Sequence, residues 1–213
     1  MCWIQYFESS YEIRNGADVF LRQLFFGFGN LSEIVYGALL IMIFLVMLWY
    51  NRSVIEQGRL KISFLVFMFL ESLIWTTGFI MVMSFSENMI LSVMQRNVIP
   101  EQFYLAIGAG IWEELLFRAG AIALVSFLIE LGMGYSQFFS VCIAIFISAV
   151  LFSLFHYIGQ YGDIFTYKGF ILRSIAGIFL GALYIARGLG IVVYTHIFYD
   201  MAIISLPIIL DHA

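Results

Sequence analysis

Long apolar segments separated by short polar or glycine-rich breaks dominate the pattern along the chain. A bilayer core about 30 Å thick requires roughly 20 apolar residues per helix. Six segments fit this length, at residues 34–50, 62–85, 104–129, 137–158, 169–186 and 191–210. An open sheet would leave its edge amides unpaired in lipid, and the alternation typical of barrel strands is absent. The pattern therefore predicts an all-α polytopic transmembrane helix bundle with about six spans.

Two further stretches have the pattern of short amphipathic helices that lie in the headgroup plane. The first apolar stripe consists of Val19, Phe20, Leu24 and Phe26. The second recurs at helical spacing in Met89, Ile90, Val93 and Met94. We expect residues 1–30 to form an interfacial segment within one integral membrane domain that covers residues 1–213.

Composition supports the membrane assignment and narrows the function. Hydrophobic residues make up 63% of the 213, and only 24 residues are charged, whereas a soluble domain is about 25% charged. The net charge of −4 provides no basic patch, so we do not expect nucleic acid as a partner. Cys2 and Cys142 lie far apart in the chain and indicate neither a disulfide nor a metal site. The first residues lack the pattern of a cleaved signal peptide.

Ionisable side chains inside the apolar spans are the strongest functional signal, because each costs about 2.5–3.5 kcal/mol near the bilayer centre. Glu114 and Arg118 in the third span are four apart with the acid first, the favourable order for an intrahelical ion pair. Glu113 lies about 100° further around the helix and points elsewhere. In the sixth span, His196 and Asp200 share one helix face.

Two more charged residues fall inside predicted spans. Glu71 stands alone in the second span, and Arg173 lies one turn into the fifth. Long charged side chains can extend to the headgroup region while their stems stay in apolar surroundings. We expect both residues to be structural, although Glu71 could also reach the pocket described next.

The rise of about 1.5 Å per residue allows four residues from three spans to meet in one half of the membrane. These are Glu113, His156 at the end of the fourth span, His196 and Asp200. A buried carboxylate beside a neutral histidine can polarise a water molecule, and a second histidine with a polar neighbour can stabilise an oxyanion. This set favours hydrolysis of a peptide bond by an activated water.

Three motifs in the chain resemble those of the CPBP family of intramembrane proteases. In order, they are Glu113-Glu114-x-x-x-Arg118, Phe152-x-x-x-His156 and His196-x-x-x-Asp200. The family comprises type II CaaX prenyl endopeptidases, bacteriocin-processing enzymes and many bacterial relatives. The resemblance implies a glutamate-type intramembrane endopeptidase with its catalytic core at residues 104–205. It also implies a multi-pass protein of a prokaryotic cell membrane that acts on a membrane-anchored protein or peptide.

The positions within the motifs imply the catalytic roles. Glu113 would be the general base, and His156 would orient and activate the water. His196 and the residue at position 200 would bind the substrate carbonyl oxygen in the transition state. No metal or other cofactor is implied.

The same positions imply three supporting residues. Glu114 and Arg118 would form a structural ion pair that stabilises one face of the helix. Phe152 would pack near the site. The resemblance assigns none of these three a part in the reaction.

Asp200 departs from the asparagine that many family members carry at this position. An ionised aspartate cannot donate a hydrogen bond to an oxyanion. Asp200 would therefore be protonated, or it would orient His196 as the acid of a triad does. A third option is a zinc site formed by Glu113, His156, His196 and Asp200. Two alternative functions remain open, a metal-dependent membrane hydrolase using these residues and a non-catalytic membrane scaffold or regulator.

Overall fold

The computed structural model describes residues 20, 22–23, 25–50, 52, 61–84, 101–158 and 162–211. These residues form helices and short connections, with no strand among them, so the all-α prediction is confirmed. A 3₁₀ helix at Phe26–Leu31 precedes seven α-helices and one π-helical segment. They are α1 (Ser32–Tyr50), α2 (Ile62–Ser84), α3 (Glu101–Glu113), the π segment (Glu114–Ile122), α4 (Ala123–Met133), α5 (Gln137–Phe155), α6 (Tyr167–Arg187) and α7 (Leu189–Asp211).

Five stretches of the described chain are long and apolar enough to cross a membrane. They are Ile62–Ser84, Phe103–Met133, Gln137–Phe155, Tyr167–Arg187 and Leu189–Leu206. The second of these joins α3, the π segment and α4 into one long helical rod. The first predicted span, residues 34–50, coincides with α1, which is helical as predicted. The chain is therefore an integral membrane bundle, in rough agreement with the six predicted spans.

The predicted interfacial helices lie largely outside the described residues. The second stripe, within 85–100, is outside them entirely, as are Val19 and Leu24 of the first. Phe20 is described, and its ring packs edge-on against Phe155 of α5 with ring centroids 5.7 Å apart. The interfacial segment at residues 1–30 therefore stays a prediction.

Glycines allow two pairs of helices to approach closely. A Cβ added to Gly177 of α6 would lie 2.7 Å from the Cα of Ala149 in α5. A Cβ added to Gly110 of α3 would lie 3.1 Å from the Ile197 nitrogen and 3.2 Å from the Val193 oxygen in α7. Small residues at such crossings let helix backbones pack closely in membranes. The second crossing brings the end of α3 next to the ionisable residues of α7.

Hydroxyl groups and apolar side chains join α2 to α7. The hydroxyls of Ser72 and Thr76 donate chiefly to carbonyls within α2, at 2.8 and 2.7 Å, and lie within 3.4 and 3.3 Å of backbone carbonyl oxygens of α7, which they reach as the weaker branch of a bifurcated hydrogen bond. Phe79, Leu180 and Val192 belong to one buried cluster formed by α2, α6 and α7. Interhelical hydrogen bonds and close packing are the interactions that hold helices together in lipid. This core fixes the position of α7, the helix that carries His196.

Candidate active site

The first motif lies where the rod changes its helical geometry. α3 ends at Glu113, and the π segment begins at Glu114. The sequence predicted a regular α-helix here, and the difference arises because apolar spacing contains no signal for the wider turn. π-helical segments are frequent at functional sites. The two adjacent glutamates therefore lie on either side of this transition.

Glu114 and Arg118 form the predicted ion pair deep inside the protein. Arg118 Nε lies 3.0 Å from Glu114 Oε2, and the two side chains are 1% and 0% exposed. The Arg118 guanidinium also stacks over Phe152, with its Cζ 4.4 Å from the ring centroid. Because a buried charge is tolerated only when it is paired, each partner depends on the other.

Glu114 has a second partner that the sequence analysis did not identify. Its Oε1 lies 2.7 Å from Nδ1 of His196, which is buried. An ionised carboxylate can only accept, so Nδ1–H of His196 donates to Glu114. Asp200 Oδ2 is 3.6 Å from Nε2 on the same ring, which is longer than a hydrogen bond. Glu114 is therefore closer than Asp200 to the His196 ring, and it is the acid that orients this ring.

His156 caps α5, which ends at Phe155, three residues before the predicted end of this span. Its Nδ1 lies 2.8 Å from the carbonyl oxygen of Phe152, so Nδ1–H donates to this oxygen. The Phe152 ring centroid is 4.8 Å from that of His156 and 6.2 Å from that of His196. The Phe152 ring is thus in contact with both histidines.

Several charges act on the His156 imidazole. Burial lowers the pKa of His156 from its ordinary value, whereas the Glu113 carboxylate and the bond to the Phe152 carbonyl oppose this shift. The charges of Arg173 and His196 lower the pKa further. The net direction is downward, so His156 is neutral at pH 7. Because Nδ1 carries the proton, Nε2 is the nitrogen that can accept a hydrogen bond.

Glu113 is buried at the end of α3. Its charge acts on His156, His196 and Asp200 and also on Arg118. Glu113 is therefore within electrostatic reach of the other three residues that were predicted to meet it, although the four come from three spans. In the described part of the chain, no three His, Cys, Asp or Glu side chains are arranged to hold a metal ion.

Glu71 has two partners, although the sequence placed it alone in its span. Arg187, at the end of α6, binds both carboxylate oxygens, with its Nη2 2.6 Å from Oε2. Trp75 Nε1 donates to Oε1 at 3.1 Å. The pair is partly exposed, 28% for Glu71 and 50% for Arg187. No spacing rule connects residues so far apart in the chain, and for that reason the pairing was not predicted.

Arg173 also has specific partners, in the connection between α5 and α6. Its Nη2 binds Asp163 Oδ2, and its Cζ lies 5.1 Å from the ring centroid of Tyr157. The Asp163 nitrogen donates to the carbonyl oxygen of His156 at 2.9 Å. Arg173 is thus connected to the loop that begins with His156.

Comparison with known proteins gave no match among curated proteins and no match among solved structures. A family model described as Type II CAAX prenyl endopeptidase Rce1-like matches residues 95–202. This range is just over half of the chain and includes all three motifs. The resemblance inferred from the motifs is confirmed. The chain belongs to the Rce1-like family of type II CAAX prenyl endopeptidases.

Proposed function

We propose that this protein is a glutamate-type intramembrane endopeptidase that hydrolyses a peptide bond of a membrane-associated protein or peptide. Membership of a membrane protease family supports the reaction class. The observation that carries the residue roles is the convergence of Glu113, His156, His196 and Asp200 from three spans. We also propose one membrane domain, with residues 104–205 as its catalytic core, in a prokaryotic cell membrane.

In the proposed first step, a water molecule lies between Glu113 and His156. Glu113 accepts a proton from the water as its oxygen attacks the carbonyl carbon of the substrate. His156 accepts a hydrogen bond from the same water through Nε2, because its Nδ1–H already donates to Phe152. The two residues orient the water and increase its nucleophilicity.

In the second step, His196 and Asp200 stabilise the tetrahedral intermediate. The Nδ1–H of His196 donates to Glu114, so Nε2 is directed toward Asp200. We propose that His196 is protonated on both ring nitrogens and that its Nε2–H donates to the developing oxyanion, while the Asp200 carboxylate beside the ring stabilises the imidazolium charge. When the intermediate collapses, Glu113 returns its proton to the leaving amine. One water is consumed, the C–N bond breaks, and the catalytic groups recover their original protonation.

The family description gives the substrate class that we propose for this chain. It names CAAX prenyl endopeptidases, and a CaaX terminus is a lipid-modified cysteine followed by three residues. His156 lies just beyond the end of the span that precedes it. We therefore propose a membrane-anchored protein or peptide that is cleaved near the bilayer surface.

We propose that water activation does not require a metal. The test is zinc analysis of the purified protein, together with cleavage assays before and after treatment with a chelator. Activity that is lost with chelator and restored by zinc would support the metal-dependent alternative.

Glu113→Gln is the decisive variant, because it removes the proton acceptor and preserves the side-chain shape. We expect cleavage to fall by about 10²–10⁴-fold at equal abundance in the membrane. Proteins captured from membranes by Glu113→Gln would serve as substrates for the wild-type enzyme, with cleavage measured by mass spectrometry. Glu130→Gln is the matched control, because it makes the same change in α4 of the same rod.

Two outcomes would contradict the proposal. Full cleavage of a captured protein by Glu113→Gln would show that Glu113 is not the general base. If the double variant Glu113→Ala/His156→Ala fully complemented a gene deletion in cells, the protein would act as a scaffold or regulator.

A further inference from the structure

Ser148 lies within α5 and bonds to the backbone of the π segment. Its hydroxyl donates to the Phe117 carbonyl oxygen at 2.7 Å, although the two residues are 31 apart in the chain. Ser148 is buried, so this bond is shielded from solvent. By contrast, Ser140 of the same helix donates to the carbonyl oxygen of Ser136, four residues earlier. Ser148 therefore links two helices, and its acceptor lies in the segment of the rod that departs from α geometry.

The π segment has a wide turn, in which backbone hydrogen bonds join residues five apart rather than four. Such turns are rare and short. A Cβ added to Gly120 would lie 3.3 Å from the carbonyl oxygen of Leu115, five residues earlier. Among the described residues, no other helix contributes an atom within 4 Å of this Cβ. A side chain at this position would therefore crowd the π turn itself and no neighbouring helix.

Two consecutive residues of the π segment attach the rod to the end of α5 that precedes His156. The Phe117 ring packs edge-on against Phe152 and Phe155, with ring centroids 5.4 and 5.5 Å away. The Arg118 guanidinium lies over the Phe152 ring. The Phe152 carbonyl oxygen accepts the hydrogen bond from His156. These contacts fix His156 relative to the π segment.

Glu113 lies on the other side of the transition, as the last residue of α3. An α-helix rotates by about 100° per residue, and a π-helix rotates less because it has more residues per turn. If the turn after Glu113 returned to α geometry, Glu113 would rotate about the rod axis relative to Phe117. The geometry of this turn therefore sets the position of Glu113 relative to His156.

We propose that Ser148 is a positioning residue, whose hydroxyl stabilises the wide turn of the π segment and thereby directs Glu113 toward His156. Serine and threonine side chains can satisfy backbone groups where a transmembrane helix departs from α geometry. Without the hydroxyl, the Phe117 carbonyl loses its donor from α5, and the regular α-helix becomes more populated. Ser148 acts through the backbone of the rod rather than through contact with the substrate. The inference rests on the proposed protease function.

The first test measures the geometry of the rod and needs no substrate. Spin labels are attached at Tyr104→Cys in α3 and Leu131→Cys in α4, two exposed positions on either side of the π segment. The full chain carries Cys2→Ala and Cys142→Ala, so that only these two positions are labelled. Pulsed electron paramagnetic resonance (EPR) gives the distance between the labels. We expect Ser148→Ala to add a second distance, because return to α geometry rotates and displaces one end of the rod.

The second test measures cleavage of an internally quenched, farnesylated peptide ending in Cys-Val-Ile-Met in neutral detergent. We expect Ser148→Ala to lower kcat about fivefold with KM unchanged, which corresponds to the loss of one hydrogen bond of ordinary strength. Ser148→Thr keeps the hydroxyl, and Ser148→Val has nearly the same shape without it. The threonine variant should therefore exceed the valine variant in kcat by a similar factor.

Gly120→Ala tests the same turn from the opposite side of the hydrogen bond. The added methyl group crowds the Leu115 carbonyl, and alanine favours a regular α-helix more than glycine does. We expect the same second EPR distance and a lower kcat, although Ser148 is intact. Gly132→Ala is the matched control in α4, because a Cβ there meets nothing within 4 Å. It should leave both measurements unchanged.

Ser153→Ala is the matched control for the lost hydroxyl. Ser153 is buried in the same helix and donates to the Phe170 carbonyl oxygen of α6, also at 2.7 Å. The variant therefore loses an interhelical bond of the same kind, directed to a different helix. We expect a thermal midpoint as low as that of Ser148→Ala, with a single EPR distance equal to that of the wild type.

Unchanged EPR distances in both Ser148→Ala and Gly120→Ala would overturn the proposal. It would also be wrong if Ser148→Thr and Ser148→Val had equal kcat, or if Ser148→Ala lowered only the thermal midpoint, because the serine would then merely stabilise the bundle. If the wild-type protein cleaved neither the peptide nor a captured protein, the proposed function would fail and the positioning role with it. The EPR distances would still decide whether Ser148 stabilises the π segment.

Discussion

In the part of the chain that the structure describes, two glutamate–arginine pairs lie within helices, and they differ in burial and in partners. Glu114–Arg118 lies within one helical rod, is shut off from solvent and contacts His196. Glu71–Arg187 joins α2 to α6 and is partly exposed. The same two residue types therefore occur once inside the candidate active site and once on the flank of the bundle.

The comparison indicates what makes an intramembrane ion pair part of a site. Arg187 is the last residue of α6, and a long side chain at a helix end can extend toward water or headgroups. Arg118 has no such route, so its charge must be neutralised by the protein itself. Glu114 meets this requirement and uses its other oxygen to orient His196. Burial together with a third, chemically active partner is the distinguishing feature, rather than the pair alone.

Breaking the buried pair should have the largest effect. Arg118→Met leaves the Glu114 carboxylate buried without its cation, and we expect the free energy of unfolding to fall by about 3–5 kcal/mol. The yield of monodisperse protein in detergent and the thermal midpoint measure this loss. A stability equal to that of the wild type would show that Glu114 is neutralised by another group.

The double variant Glu114→Leu/Arg118→Met separates structure from orientation. Replacing both members of a buried pair by apolar residues is often neutral for stability, so folding should recover. Cleavage should stay about 10–100-fold below wild type, because His196 has lost the carboxylate that orients it. If both cleavage and stability recovered, Glu114 would have only a structural role.

The close approach of helices beside the buried pair can be tested next. Gly110→Ala would place a methyl group against both the Ile197 side chain and the backbone of α7, so that Ile197 must move and α3 and α7 must separate. We expect a loss of about 1–3 kcal/mol in stability and roughly tenfold slower cleavage, because Glu113 shifts relative to His196.

Gly132→Ala is the matched control for this prediction. A Cβ at Gly132 of α4 meets nothing within 4 Å, and alanine is the better helix former by about 0.5–1 kcal/mol. This variant should therefore be as stable as wild type or slightly more stable, with normal cleavage. If Gly110→Ala behaved like Gly132→Ala, close contact at the α3–α7 crossing would not be a condition for activity.

The helical class, five of the spans and the pairing of Glu114 with Arg118 could be predicted from the sequence, because they depend on local composition and fixed helical spacing. The π segment could not be predicted, since it depends on hydrogen-bond geometry rather than on the apolar pattern. The contact of Glu114 with His196 was also missed. It joins residues 82 apart, and helical spacing gives no information on which faces of separate helices meet.

Contacts through loops and helix ends were missed for the same reason. Arg187 falls at a predicted span boundary, and its position in the sequence does not indicate that it binds Glu71 in the middle of α2. Asp163 lies in a break that the sequence marks only as polar, and Tyr157 falls at the end of the fourth predicted span, yet both contact Arg173. Tertiary packing brings these groups together, and local sequence patterns do not predict which distant residues will meet.

Glu71→Gln should have the smallest effect of the changes considered. The glutamine oxygen can still accept from Trp75, and a partly exposed Arg187 can exchange its lost partner for water or headgroups. We expect unchanged cleavage and only a slightly lower thermal midpoint, measured beside Arg118→Met under identical conditions, with Arg187→Gln giving the same result. A loss of cleavage as large as that of Arg118→Met would contradict the comparison. In that case the flank of the bundle would be coupled to the site through α6 and α7, and exposure would not separate structural ion pairs from those of the active site.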